Sequence, residues 1–433
     1  MTTRTSPHAG QPTRDATPAS PTALLTAVLA LLSFVVPLST DMYLPAFPAM
    51  SEELRTDASG IQLTLTAFLF GLAAGQLVLG PISDRFGRRM PILFGTALCT
   101  AATVLCAVAP SIGVLIGARF VMGFAGAAGV VVGRAVVADI ASGAAAARIF
   151  GVLMTLGGIA PIVAPLVGGA VVNDAGGWRG VFWVLAGASL LMFLATMLAV
   201  PESLSAERRH TGGAGALQAV TSVLTDRAYI GYTLAFSFAC GTLFCYISAS
   251  PFLLQNVLGF SVSQASLAFS VGALTATVSS AAATRLVRSF HPDVLLRVGL
   301  AVMLVSSALA LLITLAGQLN RVWALGLVGL GFLGLGQVFG TATALAVERV
   351  PQAAGTGSAV LGTLQSALGA VVAPLMGIGG KYTAAPLFLG MTGCSLIAVL
   401  ALLLTRGSQT PVTTLCGTPS QADSGKANGR WGT

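Results

Sequence analysis

A carboxylic acid and a permanent cation set inside apolar stretches are the residues of this 433-residue sequence best suited to controlling a proton. Asp41 lies near the end of the first apolar stretch, in Leu38-Ser39-Thr40-Asp41-Met42-Tyr43. A carboxylate facing hydrocarbon costs several kcal/mol, so Asp41 must face a water-filled cavity or carry a proton part of the time. Either condition suits a proton carrier. A plainer reading has Asp41 capping its helix at the interface beside Tyr43, an aromatic anchor. Arg119 lies two turns into the fourth stretch, with Gly123 and Gly126 following on the same helical face. Its charge is permanent, so it would favour an ionised Asp41 when near and release that effect when the two separate. The alternative role for Arg119 is a structural tie to a neighbouring helix. Arg134, farther along, is equally suited to Asp139, a lipid phosphate or a substrate.

A second group suits conformational control. Gly80-Pro81-Ile82-Ser83-Asp84-Arg85-Phe86-Gly87-Arg88-Arg89 interrupts two apolar runs, Ile61–Leu79 and Met90–Ala109, each about as long as a helix that crosses a bilayer. The interruption is expected to be a tight loop at the membrane surface. Asp84 would favour the positive end of a nearby helix, and Arg85, Arg88 and Arg89 would pair with acids or lipid headgroups. In the fifth stretch, Gly151, Pro161, Pro165, Gly168 and Gly169 make a bendable helix, with close packing by small residues as the alternative. Tyr43, Gln62, Tyr232, Tyr246, Asn256, Gln337 and Gln365 are the polar groups available to a midplane cavity. Such a cavity, with few hydrogen bonders, suits a small neutral amphiphile better than a sugar or phosphate ester.

The elements that must position these residues follow from composition. Mean hydropathy is +0.88 and only 8% of residues are charged, which describes a polytopic membrane protein rather than a soluble one. Twelve apolar stretches are expected to be helices: 23–46, 61–80, 90–109, 112–138, 147–171, 179–200, 229–254, 264–284, 294–316, 322–346, 357–379 and 384–405. The fold class is all-α, with twelve transmembrane helices in two pseudo-symmetric six-helix halves. An even count puts both termini on one side. Sixteen Lys and Arg lie on that side against four opposite, Arg55, Arg179, Arg321 and Lys381, so the termini are expected to be cytoplasmic. The domains read as a disordered N-terminus 1–22, a first half 23–200, a linker 201–228, a second half 229–405 and a disordered tail 406–433. Arg285-Leu-Val-Arg288-Ser-Phe-His291-Pro-Asp293 is a weak echo of the 83–90 connector.

Several function classes are disfavoured. The net charge of +8 is spread without a basic face, so no nucleic acid partner is expected. The six Cys form no CxxC or Cys/His cluster, and His8, His210 and His291 lie outside the spans. No metal or cofactor is expected, nor enzyme chemistry. No Walker-type motif supplies ATP, so energy would come from an ion gradient. The 1–21 segment has no apolar core for a cleaved signal. An Arg- and Ala-rich composition fits a GC-rich bacterial genome.

Gly80, Asp84, Arg85, Gly87, Arg88 and Arg89 match every position of G-x-x-x-D-R-x-G-R-[RK], so the chain resembles the major facilitator superfamily. Arg119-Phe-Val-Met-Gly123-Phe-Ala-Gly126 is similar to that superfamily's proton-coupling motif. Gly151 with Ala164-Pro165-Leu-Val-Gly168-Gly169 is similar to its antiporter motif, although Ala160 and Ala164 stand where Gly is preferred. Ser39-Thr40-Asp41-Met42-Tyr43-Leu44-Pro45-Ala46-Phe47-Pro48 resembles the Bcr/CflA drug-resistance branch. That branch implies a drug:proton antiporter of the bacterial inner membrane, exporting chloramphenicol or a related phenicol by alternating access. Some homologous exporters carry a second acid where Ser33 stands here, which departs from a two-acid arrangement. Protons, membrane lipids and a small drug are the expected partners, and a monomer is the expected state. An uptake symporter of the same fold and a non-transporting membrane sensor are the other readings.

Overall fold

Backbone N–H and C=O groups find no water in hydrocarbon, so a chain of long apolar runs must satisfy them within helices. The computed structural model describes residues 23–405 apart from 142, 175, 205–220, 222, 352 and 353. The expected disordered termini and most of the 201–228 linker lie outside the described residues. Among the described residues, twelve helices are long and apolar enough to cross a membrane. They are α1 (Ala23–Asp41), α2 (Ala58–Phe86), α3 (Arg89–Ala107), α4 (Ile112–Ile140), α5 (Gly143–Asp174) and α6 (Gly177–Ala199) in the first half. The second half holds α7 (Arg227–Phe252), α8 (Val262–Leu286), α9 (Pro292–Leu315), α10 (Arg321–Glu348), α11 (Ala354–Leu375) and α12 (Ala385–Ala401).

Two boundaries differ from expectation in ways that matter. The first span does not stop at Ala46. Its helix ends at Asp41, then re-forms through a 3-10 turn, Leu44–Ala46, into a short helix, Phe47–Glu53. Pro45 and Pro48 permit this because each stands at the start of a new helical segment, where its missing N–H costs nothing. The connector at 80–89 is mostly not a loop: α2 runs on through Gly80 and Pro81 to Phe86. Gly87, at φ +91°, makes the turn, and α3 begins at Arg89.

Within each half the same helix pairs pack together. In the first, α1 meets α4, α5 and α6, α2 meets α4, and α3 meets α4 and α6; a shift of six in helix number gives the pairs of the second. The two halves meet along α2 with α11 and α5 with α8, pairs that the same shift exchanges. The connection after α8 breaks the symmetry in detail. Arg285 and Arg288 are exposed there, and the ion pair near that junction joins Asp293 to Arg297 at 2.5 Å.

Without a hydrophobic driving force between helices in lipid, association depends on close contact. The α2–α4 seam shows how close. A Cβ at Gly123 would overlap the Phe68 carbonyl oxygen, and one at Gly71 would overlap that of Phe120. We expect Gly123→Ala to lower stability by about 1–3 kcal/mol through overpacking. Gly117→Ala on the same helix meets open space and should gain roughly 0.5–1 kcal/mol of helix propensity. Thermal melts of the detergent-purified variants check this, and equal melting temperatures would refute the close-contact account.

Candidate functional site

Arg119 is fully buried, the largest side chain among the described residues to be so. The close α2–α4 contact at Gly123, one turn further along, brings Phe68 of α2 within reach of it. The guanidinium carbon lies 4.4 Å from the Phe68 ring centre, 4.2 Å from that of Tyr43 and 5.9 Å from that of Phe182 on α6. Each ring presents its negative face to the cation. Nη1 donates to the Ser39 carbonyl at 3.0 Å, in the last turn of α1, where helix ends leave carbonyls free. Nε and Nη2 have no hydrogen-bond partner among the described residues. The Tyr43 hydroxyl shares a 3.2 Å hydrogen bond with Thr64 of α2, which holds the ring in position.

Asp41 is buried two residues beyond Ser39 and makes no ion pair or hydrogen bond through its carboxylate among the described residues. The structure therefore brings the backbone that carries Asp41 to Arg119 without pairing the two charges. Gly168 sets this region against α5: a Cβ there would overlap the Met42 carbonyl oxygen. Gly169 faces the other way, onto Ser266 of α8, so adjacent glycines serve a contact inside the first half and one between halves. Pro161 and Pro165 lie within a continuous α5, and Gly151 is exposed with open space beside it.

Four side-chain hydrogen bonds join the halves among the described residues. Gln62 Nε2 donates to the Ser248 carbonyl at 3.2 Å, Gln255 Nε2 to the Pro45 carbonyl at 3.0 Å, and Asn173 Nδ2 to Ser263 Oγ at 2.8 Å. The fourth, from Thr277 to the Gly158 carbonyl at 3.4 Å, lies near mid-membrane. The first three lie toward the face opposite the termini, which is thereby held closed. Ser248 extends the first bond by donating to the Ala373 carbonyl of α11 at 2.8 Å.

On the termini face Arg88 is buried and donates to Asp84 at 2.5 Å, to Asp139 of α4 at 3.0 Å and to Ser83 Oγ at 2.7 Å. Burial alone would lower its pKa; hydrogen bonds and charge from Asp139 and Asp84 outweigh that and hold it above its ordinary value. Arg85 and Arg89 are exposed. The acid at the start of α3 is not Asp84 but Glu202, just past α6, which accepts the backbone N–H groups of Arg88 at 2.8 Å and Arg89 at 3.2 Å. Asp139 is thus taken by Arg88 and Ser203, and Arg134 stands exposed without an ion pair among the described residues. Asp139, which the sequence offers to Arg134, pairs with Arg88 instead, and Glu202, Phe68 and Phe182 escaped sequence reading; Pro201-Glu202-Ser203, directly after an apolar run, was the available signal for Glu202.

The polar groups proposed for a midplane cavity are not gathered in one place. Tyr43 belongs to the Arg119 cage and Gln62 to the closed face. Tyr232 donates to Asp293 at 3.4 Å, and Tyr246 is buried against Phe269 and Phe332. Gln337 donates to Ser279 Oγ at 2.9 Å across α8 and α10. Asn256 and Gln365 are half-buried.

Replacing Gln62 with Leu removes a buried bond worth about 1 kcal/mol, roughly fivefold in the balance between closed and open forms. Spin labels at the exposed Glu52 and Gln264 should report longer distances in Gln62→Leu than in the unsubstituted chain. Identical distances would show that this bond does not hold the face closed.

A family model described as Major Facilitator Superfamily matches residues 29–374. A bicyclomycin resistance protein homolog of Haemophilus influenzae is 31% identical over 382 residues, covering 88% of this chain and 95% of that one. A chloramphenicol resistance protein of Pseudomonas aeruginosa is 32% identical over 396 residues, 90% and 88% of the two chains. Among solved structures, a D-xylose-proton symporter superposes with a TM-score of 0.69 at 15% identity, over 88% of this chain and 97% of that one, which is a likeness of fold.

Proposed function

Because the chain belongs to the major facilitator superfamily, and is a multi-pass membrane transporter rather than an enzyme, we propose that it is a drug:proton antiporter. It would expel a small amphiphilic antibiotic, a phenicol first among them, across the bacterial inner membrane with both termini cytoplasmic. The sixteen-to-four bias of basic residues toward the termini side supports that orientation. The two resistance relatives support the direction and the class of cargo.

One observation carries the coupling. Arg119 is buried with two donors unsatisfied and no acid beside it, while Asp41 on the adjoining helix is buried and equally unpaired. Two opposite charges withdrawn from water and left single are expensive, and each is stabilised by meeting the other or, for the acid, by taking a proton. In the form closed away from the termini, aromatic rings and the Ser39 carbonyl hold the guanidinium. Asp41 is then the group free to carry a proton. Movement of the broken α1 segment, which is set against α5 at Gly168 and tied to α6 through the ion pair of Glu53 with Arg179, would bring the carboxylate and guanidinium together and expel the proton. Drug binding in the cavity would select between these forms. Arg88, Asp84, Asp139 and Glu202 would set the rest of the cycle by stabilising one arrangement of the termini face.

Expression in a drug-sensitive host against a panel of phenicols and bicyclomycin tests the proposal. The unsubstituted chain should raise resistance to at least one compound, and Asp41→Asn should abolish it. Everted vesicles should release protons when drug is added, and Arg119→Lys should lower that release at least tenfold, because an ammonium cannot reproduce the planar fork among the rings. Resistance to nothing would overturn export; equal resistance from both forms would remove Asp41 from the mechanism. Drug accumulation driven by an inward proton flow into right-side-out cells would favour uptake instead.

A further inference from the structure

The first turns of α9 and the last turn of α12 leave between them a groove of about 340 Å³ that touches none of the transport residues. Leu300 and Leu402 form its buried floor, and Val305, Leu400 and Leu403 are exposed along its sides. From Val305 to Arg297 the groove runs about 12 Å along the α9 axis toward the termini face. At that end stands Arg297, its side chain half exposed. Both helices are peripheral and pack only within the second half, so the groove opens to lipid.

We propose that this groove binds one anionic phospholipid, an acyl chain lying in the apolar trough and the phosphate diester seated on Arg297. The order of the lining is that of a lipid: hydrocarbon first, then a cation at the membrane surface. Asp293 engages Nη2 of Arg297, and the guanidinium has further N–H donors in a planar fork that matches phosphate oxygens. Asp293 itself is buried and already accepts from Tyr232, so it offers little to the ammonium of a zwitterionic headgroup. The exposed Arg285 and Arg288 on the α8–α9 connection add positive charge on the same face. These features select a headgroup with net negative charge.

Native mass spectrometry of the detergent-purified full chain, titrated with phosphatidylglycerol or phosphatidylethanolamine, tests this. The unsubstituted chain should retain one phosphatidylglycerol at concentrations where phosphatidylethanolamine is stripped. Arg297→Gln should weaken that retention at least tenfold. Ala301→Trp, which fills the groove and leaves every charge in place, should weaken it as much, and decides the matter if Arg297→Gln fails to fold. Arg288→Gln should retain the lipid, and inorganic phosphate should not displace it. Equal retention of the two lipids, or undiminished retention by Ala301→Trp, would overturn the proposal.

Discussion

A single guanidinium withdrawn from water organises the first half. Burying an unpaired charge costs several kcal/mol even after relaxation. Against this stand one charge-assisted hydrogen bond to Ser39 and two close ring faces, each cation–π contact worth about 2 kcal/mol when desolvated. The geometry of four helices follows. Phe68 reaches Arg119 because α2 and α4 touch through glycine, Phe182 comes from α6, and Ser39 and Tyr43 come from the two sides of the break in α1. Two donors nevertheless remain open, and a buried polar group left unpaired marks a place where another arrangement could be more comfortable.

The seam between halves has the opposite character. It carries no ion pair among the described residues; its polar contacts are carboxamide, hydroxyl and carbonyl groups, and Phe47 and Phe252 pack across it with ring centres 6.1 Å apart. Neutral hydrogen bonds of this kind are individually worth about 1 kcal/mol. A surface joined by four of them can part and rejoin without separating buried charges. The ion pairs that tie one helix to another, Arg88 with Asp139 and Arg179 with Glu53 in the first half and Arg349 with Asp226 in the second, lie inside the halves and brace each one. Rigid halves on a weak seam are the mechanical requirement of a rocking transporter.

The span count, the two halves and their symmetry were legible because hydrocarbon imposes one solution on a long apolar run. That Asp41 and Arg119 are ionisable residues within the apolar spans was equally legible, and the structure buries both. Arg88 was marked by its motif, but its partner in α4 lies 51 positions away, and Glu202 lies 114 away. Nothing local tells which of several acids will turn toward it. The cavity candidates fared differently. Tyr and Gln side chains in a span signal polarity, yet polarity is satisfied as well by a neighbouring carbonyl as by a substrate, and Gln62, Gln337 and Tyr43 are engaged by neighbouring helices.

The sequence by itself determined the class of solvent this protein lives in, its helices and the few charges that could do work there, because each of these is a property of composition along one helix. Only the tertiary structure decided that Arg119 meets aromatic rings and a carbonyl instead of Asp41, that the 80–89 segment is largely helix, and that one face is closed by neutral bonds. Those outcomes depend on which helix faces approach within contact distance. That is set jointly by glycines on separate helices, and no single stretch of chain encodes it.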